Sequence, residues 1–239
     1  MKNDDMEIHS FSHQGKKKSQ EDAFLIIEDQ KLFVICDGVG SSSNGAWASN
    51  FIINYIRENS IKYQNDISSL IIDATNALEY QSISEGILTE IATTIVIAKI
   101  NENSVISTHL GDSKFMFFSE MDASKNFISQ DHSLVEELKS AGVLKGNENS
   151  FPFKNMITKC ISNHKSLHNE DFKTTEIFGL KPGDKIFLCS DGALENIGPN
   201  ELVSLFVKNF EDTNTNWTYF SDLCKNHSKD NASCIMIQI

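Results

Sequence analysis

The 239-residue chain predicts an α+β fold built on antiparallel sheets. Two observations carry that expectation. Apolar runs of strand length follow one another across short turns, and the helical patterns are gathered into blocks instead of alternating with the strands. The strand runs are also apolar without a break, as in "KLFVICDG" and "KIFLCSDG", so each needs cover on both faces. Helices outside two packed sheets would provide it.

Taken in order, "AFLIIEDQKLFVICD" reads as two strands joined by a tight turn at Glu28–Gln30. A loop of small residues, "GVGSSSNG", leads into a helix with Ala48, Phe51, Ile52, Tyr55 and Ile56 at helical spacing and Asn44 as its N-cap. A second helix over 66–82 carries Ile67, Leu70, Ile71, Ala74 and Leu78 on one face. "ATTIVIAKI" and "SVISTHLG" flank the turn "NEN" as a hairpin, and "SKFMFFS" adds a third strand. "SLVEELKSAGVL" is a short helix with Gly142 at its C-terminal cap. Residues 145–172 are polar and irregular, a length of loop that is uncommon and often functional. "TTEIFGLKPGDKIFLCSDG" reads as strand, turn, strand; "PNELVSLFVKN" and "TNWTYFSDLCKNHS" as helices; "ASCIMIQI" as a final strand. No proline- or glycine-rich linker interrupts this series, so residues 1–239 are expected to form one domain.

A net charge of -12 argues against nucleic acid or an anionic membrane as partner, because both repel it. The five cysteines show no CxxC spacing, and Cys36, Cys189 and Cys234 sit inside apolar runs, where a thiol behaves as a small hydrophobe. A reducing, cytoplasmic setting is expected from that usage. "MKNDDMEIHS" lacks the apolar core of a signal peptide, and no run approaches the ~18 apolar residues of a membrane span. Arg57 is the only arginine.

The residues that suggest chemistry are aspartates at strand ends: Asp22, Asp37, Asp112, Asp191 and Asp230. Any one of them alone is as well explained by a helix cap or an Asx-turn. Together they invite a different reading. Strand ends within one sheet system can meet, and carboxylates that meet repel unless a cation neutralises them. Oxygen ligands without thiolate or imidazole favour a hard ion, Mg²⁺ or Mn²⁺.

In their order and spacing, "SQEDAF", "VICDGVG", "ATTIVIA", "LGDSKFMFF", "DHSLVEEL", "GDKIFLCSDGALENI" and "KDNASCIMI" resemble the metal-dependent PP2C-type (PPM) protein serine/threonine phosphatases, in their compact bacterial form. The resemblance spans about residues 7–239. It implies a four-layer α-β-β-α sandwich, with two antiparallel sheets packed face to face and helices outside. It implies two Mn²⁺ or Mg²⁺ ions, with a weaker third, and a hydroxide activated between the first two that attacks phosphoserine or phosphothreonine of a protein. By matching motifs, Asp37 would bridge two ions and Gly38 would offer its carbonyl. Asp191 and Asp230 would bind one ion, Asp112 would join Asp191 around the third, and Glu21 and Asp22 would act through water. Asp37 and Asp191 are thus the expected catalytic residues, and a cognate serine/threonine kinase is the expected partner by analogy.

Departures from the family pattern lie upstream and in the loop. Where the family carries an arginine that clamps the substrate phosphate, this chain has "GKKKSQED", with Lys17 at the expected offset and Lys16 and Lys18 as close competitors. Lysine can hold phosphate as a point charge but not as a bidentate fork. The alternative function, a catalytically weak or silent module for binding or regulation, rests on that loss. Thr93 and Thr94 match a family pair on a strand, of which alternation would turn only one inward. His132 is expected to hydrogen-bond a loop, and residues 145–172 take the place of the family's variable flap.

Overall fold

The structure, a computed structural model, describes residues 6–39, 44–64, 66–87, 89–144, 151, 153, 155–208 and 212–239. One sheet has the order β1-β12-β11-β7-β8, from β1 (Glu7–His13), β12 (Ala232–Gln238), β11 (Lys185–Cys189), β7 (Lys114–Phe118) and β8 (Phe127–Ile128). The other runs β10-β6-β5-β3-β4-β9, from β10 (Thr175–Phe178), β6 (Ser104–Leu110), β5 (Ile95–Ile100), β3 (Leu32–Val39), β4 (Ala92–Thr93) and β9 (Ile161–Ser162), with β2 (Asp22–Ile27) also paired to β3. All of these pairings are antiparallel.

Alternation along each apolar strand sorts its side chains into two cores. Phe33, Ile35, Val96 and Ala98 of one sheet meet Phe115, Phe117, Ile186, Leu188, Ile235 and Ile237 of the other. The outer face of β3 and β5 (Leu32, Val34, Cys36, Ile95, Ile97) packs on α1 (Asn44–Asn59) and α2 (Ile67–Ser84) through Ile52, Ile56, Leu70, Ile71 and Leu78. The outer face of the first sheet (Met116, Phe118, Phe187, Cys189, Cys234, Met236) packs on α4 (Pro199–Val203) and α5 (Thr213–His227) through Leu202, Phe220 and Cys224. This is the expected four-layer α+β sandwich, and it explains why the strands carry no polar alternation. Each fully buried phenylalanine or isoleucine stabilises the fold by roughly 1.5–3 kcal/mol.

Local chemistry sets the helix ends. Asp66, Ser133 and Asp212 each accept a backbone N–H from the first turn of α2, α3 (Leu134–Ser140) and α5 respectively. α3 ends as expected at Gly142, whose N–H donates to the Lys139 carbonyl while that of Val143 reaches back to Leu138. Asn44 is the first residue of α1 and not a residue ahead of it. α4 gives way at Ser204 to a wider winding that runs to Lys208, so "PNELVSLFVKN" is not one regular helix.

Three strands depart from the expectations, among them the two-residue β8, which no sequence pattern marks. β1 is polar at most positions, with Phe11 buried and Ile8 packed on the core, so its sequence carries no strand signal; its identity comes from pairing along all of β12. The segment 145–172 is not irregular throughout. Residues 145–150, 152 and 154 lie outside the described residues, but β9 joins the sheet beside β4, with Thr93 opposite Ile161. A two-residue strand is too short to show periodicity, and its buried Ile161 anchors the segment.

Candidate active site

The aspartates singled out in the sequence meet where strand ends of the two sheets converge. β2 and β3 place Asp22 directly opposite Asp37, a position where like charges destabilise a ladder. Asp191 follows the end of β11, and Ser190 between them donates its hydroxyl to Asp22 Oδ2 at 2.8 Å, tying one sheet to the other. Asp112 follows β6, and Asp230 precedes β12. Asp22 forms the floor at 5% exposure. Asp37, Asp112 and Asp230 are partly open, and Asp191 stands at the exposed rim.

This crowding is visible in the acidities. Desolvation first, and then the charges of Asp22, Asp191, Asp112 and Asp230, push the Asp37 carboxyl well above the usual carboxylate range. Burial first pushes Asp22 up to about 6. It also pushes Asp112 up to about 7, helped by Asp191 and Asp131. Asp191 is raised by desolvation and then by Asp230, so its carboxyl is turned into the cluster although the residue as a whole is exposed. Lys17 meets the cluster from outside, its Nζ 2.9 Å from Asp230 Oδ1. That hydrogen bond, more than any other contact, raises the lysine's own pKa.

The backbone around Asp37 is held from both sides. Its N–H donates to Thr94 Oγ1 at 3.1 Å, and its carbonyl accepts from the Thr94 N–H and the Thr93 hydroxyl. Both threonines are buried, contrary to the alternation argument, because the strand is interrupted at Thr94 between β4 and β5. Gly38 donates its N–H to the Glu21 carbonyl at 3.1 Å. A Cβ on Gly38 would lie 2.5 Å from the backbone of Gly45, so the start of α1 can cross there only above a glycine. Glu21 is fixed in turn by Asn231, whose Oδ1 accepts the Glu21 N–H at 2.8 Å. The Asn231 amide donates to the carbonyls of Gln14 and Ser19, which seats the Lys17 loop beside Asp230.

Asn231, Ser190 and Ser49, whose hydroxyl donates to the Glu21 carbonyl, are the residues sequence reasoning passed over. Asn231 and Ser190 stood inside the quoted motifs but looked like spacers. His132 does hold a loop, its Nδ1 accepting the Gly111 N–H at 3.3 Å next to Asp112.

Divalent cations suit this donor set. It offers carboxylate and carbonyl oxygens with no thiolate or imidazole among them, as a hard ion requires. Asp22 Oδ1 is buried with no hydrogen-bond partner among the described residues. No three acidic, histidine or cysteine side chains among those residues already surround a point as a metal shell. Asp37 instead stands opposite Asp22 in the ladder, and the two buried carboxyls leave charge that a cation can offset.

Comparison with known proteins agrees with the fold. The sequence profile of protein phosphatase 2C matches residues 11–236, and the chain belongs to that family. It is 25% identical over 209 residues to the protein phosphatase PhpP of Streptococcus pneumoniae, covering 82% of each chain. It superposes on the crystal structure of the serine/threonine phosphatase Stp1 from Staphylococcus aureus with a TM-score of 0.83 at 25% identity, covering 98% of this chain and 95% of that one. The catalytic domain of the serine/threonine phosphatase PstP, solved in complex with two manganese ions, shares the fold at a TM-score of 0.79 and 17% identity, covering 98% and 97%. Among the described residues no helix is long and apolar enough to cross a membrane.

Proposed function

We propose that this chain hydrolyses phosphoserine and phosphothreonine on proteins with the help of two divalent ions, Mn²⁺ or Mg²⁺. The observation that carries the reading is the convergence of carboxylates on Asp37, whose mutual repulsion calls for cations. Family membership and the printed names of the relatives support it.

In this reading Asp37, the Gly38 carbonyl, Asp191 and Asp230 would hold the two ions. Asp112 with Asp191 would offer a third position, and Glu21 and Asp22 would act through water. When bound, such ions supply an activated water for attack on phosphorus and positive charge against the phosphoryl oxygens. The chain's own residues do the positioning. Thr93 and Thr94 fix the Asp37 backbone, so its carboxylate cannot drift with the loop. Ser190 orients Asp22. Lys17 receives the substrate phosphate as a point charge and must share its ammonium with Asp230 to do so. A serine/threonine kinase that makes the phosphoprotein is the partner class implied.

Phosphate release from a phosphothreonine peptide tests this reading. Release should require Mn²⁺ or Mg²⁺, should vanish with EDTA and should fall about a hundredfold in Asp191→Ala. Tight metal binding by calorimetry with no turnover on phosphopeptides would overturn it in favour of a silent binding module.

A further inference from the structure

Cys189 and Cys234 form a feature that the proposed hydrolysis does not use. They face each other across β11 and β12, directly opposite in the ladder, with their sulfurs 3.3 Å apart. Both side chains have no exposed surface and lie on the sheet face covered by α5. The next pair, Ser190 and Ser233, is joined by the Ser190 N–H donating to the Ser233 carbonyl at 3.0 Å. Hydrogen-bonded and non-hydrogen-bonded pairs alternate along an antiparallel ladder, so Cys189 and Cys234 occupy a non-hydrogen-bonded pair, where Cα atoms approach to about 4.5 Å. That spacing falls inside the range a disulfide needs, about 4.4–6.8 Å. Cys224, the other thiol of this layer, is turned onto the Ala193 carbonyl, and Cys36 on β3 faces α1 and α2 on the opposite side of the molecule.

The geometry points to Cys189 and Cys234 as a dithiol that hydrogen peroxide closes to a disulfide and a thiol reductant reopens, with turnover lowered in the closed state. One sulfur attacks peroxide, an S–O bond forms, the O–O bond breaks, and the departing hydroxide takes the thiol proton as water. The second sulfur then attacks the sulfenic sulfur; the S–S bond forms and the S–O bond breaks, with a second water leaving. The sulfurs lose two electrons and the peroxide oxygens gain them. Peroxide is small enough to reach a site that larger oxidants cannot, and burial makes the closure slow.

The effect on turnover follows from what comes next in each strand. An S–S bond of about 2.05 Å pulls the sulfurs together by more than 1 Å. The neighbouring Ser190 hydroxyl is bonded to Asp22 and also accepts the Ser233 N–H at 2.9 Å, and Asp191 is one residue further on. The side chains take up part of that approach, and whatever falls on the backbone is felt first at Ser190, Asp22 and Asp191.

The link itself stands apart from the proposed activity, which only the turnover readout assumes. Full-length protein is treated with hydrogen peroxide, then mapped by mass spectrometry under non-reducing conditions and assayed for phosphate release. Cys160→Ser serves as the background, since Cys160 is the partly exposed thiol. The expected result is a Cys189–Cys234 peptide lighter by two hydrogens, appearing in step with a severalfold loss of turnover, both reversed by dithiothreitol. Cys234→Ala and Cys189→Ala should each keep turnover after peroxide, with circular dichroism checking that they fold. Absence of the linked peptide at complete inactivation overturns the proposal, as does equal inactivation of the alanine variants. A linked protein with full turnover overturns its regulatory half. Should both variants fail to fold, the mass map and reductant recovery of the parent protein decide the question.

Discussion

β3 and β11 run out of the core into the same dipeptide, Asp37-Gly38 and Asp191-Gly192, yet the two ends are built differently. Asp37 is gripped at both backbone groups by Thr93 and Thr94 and feels four other carboxylates. Asp191 stands at the rim, with Asp230 as its strongest acidic neighbour. The glycines differ as well. A Cβ on Gly38 would meet the first turn of α1 at 2.5 Å, while one on Gly192 would meet the Asn231 carbonyl oxygen at 2.1 Å. Neither glycine is needed for a left-handed backbone; each is needed because another segment crosses over it. The repeated dipeptide therefore marks two backbone crossings beside one carboxylate cluster, with the less exposed residue at β3, the centre, and the more exposed one at β11, the rim.

The largest test of that contrast is activity. Asp37→Ala should reduce phosphate release by about a thousandfold and Asp191→Ala by about a hundredfold, in the range seen for removal of groups that stabilise developing charge. Equal losses would erase the distinction between centre and rim. Stability comes next. Overpacking costs about 1–3 kcal/mol, so Gly192→Ala, blocked by a closer backbone atom, should lower the melting temperature more than Gly38→Ala does. At about 2–4 °C per kcal/mol, both shifts are readable by calorimetry. Gly86→Ala, which meets nothing within 4 Å, is the control and should lose only the left-handed backbone penalty of about 1–2 kcal/mol.

Metal and pH sharpen the comparison further. Asp22 and Asp112 have folded-state values raised to about 6 and about 7, above the unfolded carboxylate value near 4. Between those limits the native state holds protons that the unfolded chain has released, so without added metal stability should fall as pH rises from about 4 through 7. On the proposed reading Mn²⁺ would take the place of those protons. Its stabilisation in thermal melts should be larger at pH 7.5 than at pH 5, and the reverse order would contradict the carboxylate cluster as the binding place. The smallest effect is expected at Lys17. Its half-exposed ion pair is screened, so Lys17→Ala should raise KM for a phosphopeptide about fivefold with little change in kcat, and Lys17→Arg should lower KM.

Much of this architecture was readable because burial on both faces leaves unbroken apolar runs. β3, β5, β7, β11 and β12 announce themselves that way, and the acids at their ends stand out against the runs. β1 and β9 did not, because a polar edge strand and a two-residue strand take their identity from β12 and β4. Asp22, Asp37, Asp112, Asp191 and Asp230 could be named in advance as acids needing a common partner. Asn231 and Ser190 could not, since a buried amide or hydroxyl shows its worth only through the backbone groups it reaches. The crossing of Asn231 above Gly192 lies beyond any local pattern.

The placement of β12 has a consequence for synthesis. The strand nearest the C-terminus lies inside its sheet, between β1, nearest the N-terminus, and β11. During translation, β1 must wait for residues 232–238 to emerge before it has a neighbour to pair with. Contacts so distant along the chain form late and slowly. The sheet carrying Asp37 can assemble on the ribosome well before Asp230 exists, so a nascent chain holds an incomplete cleft and acquires its full set of carboxylates only at the last step of folding.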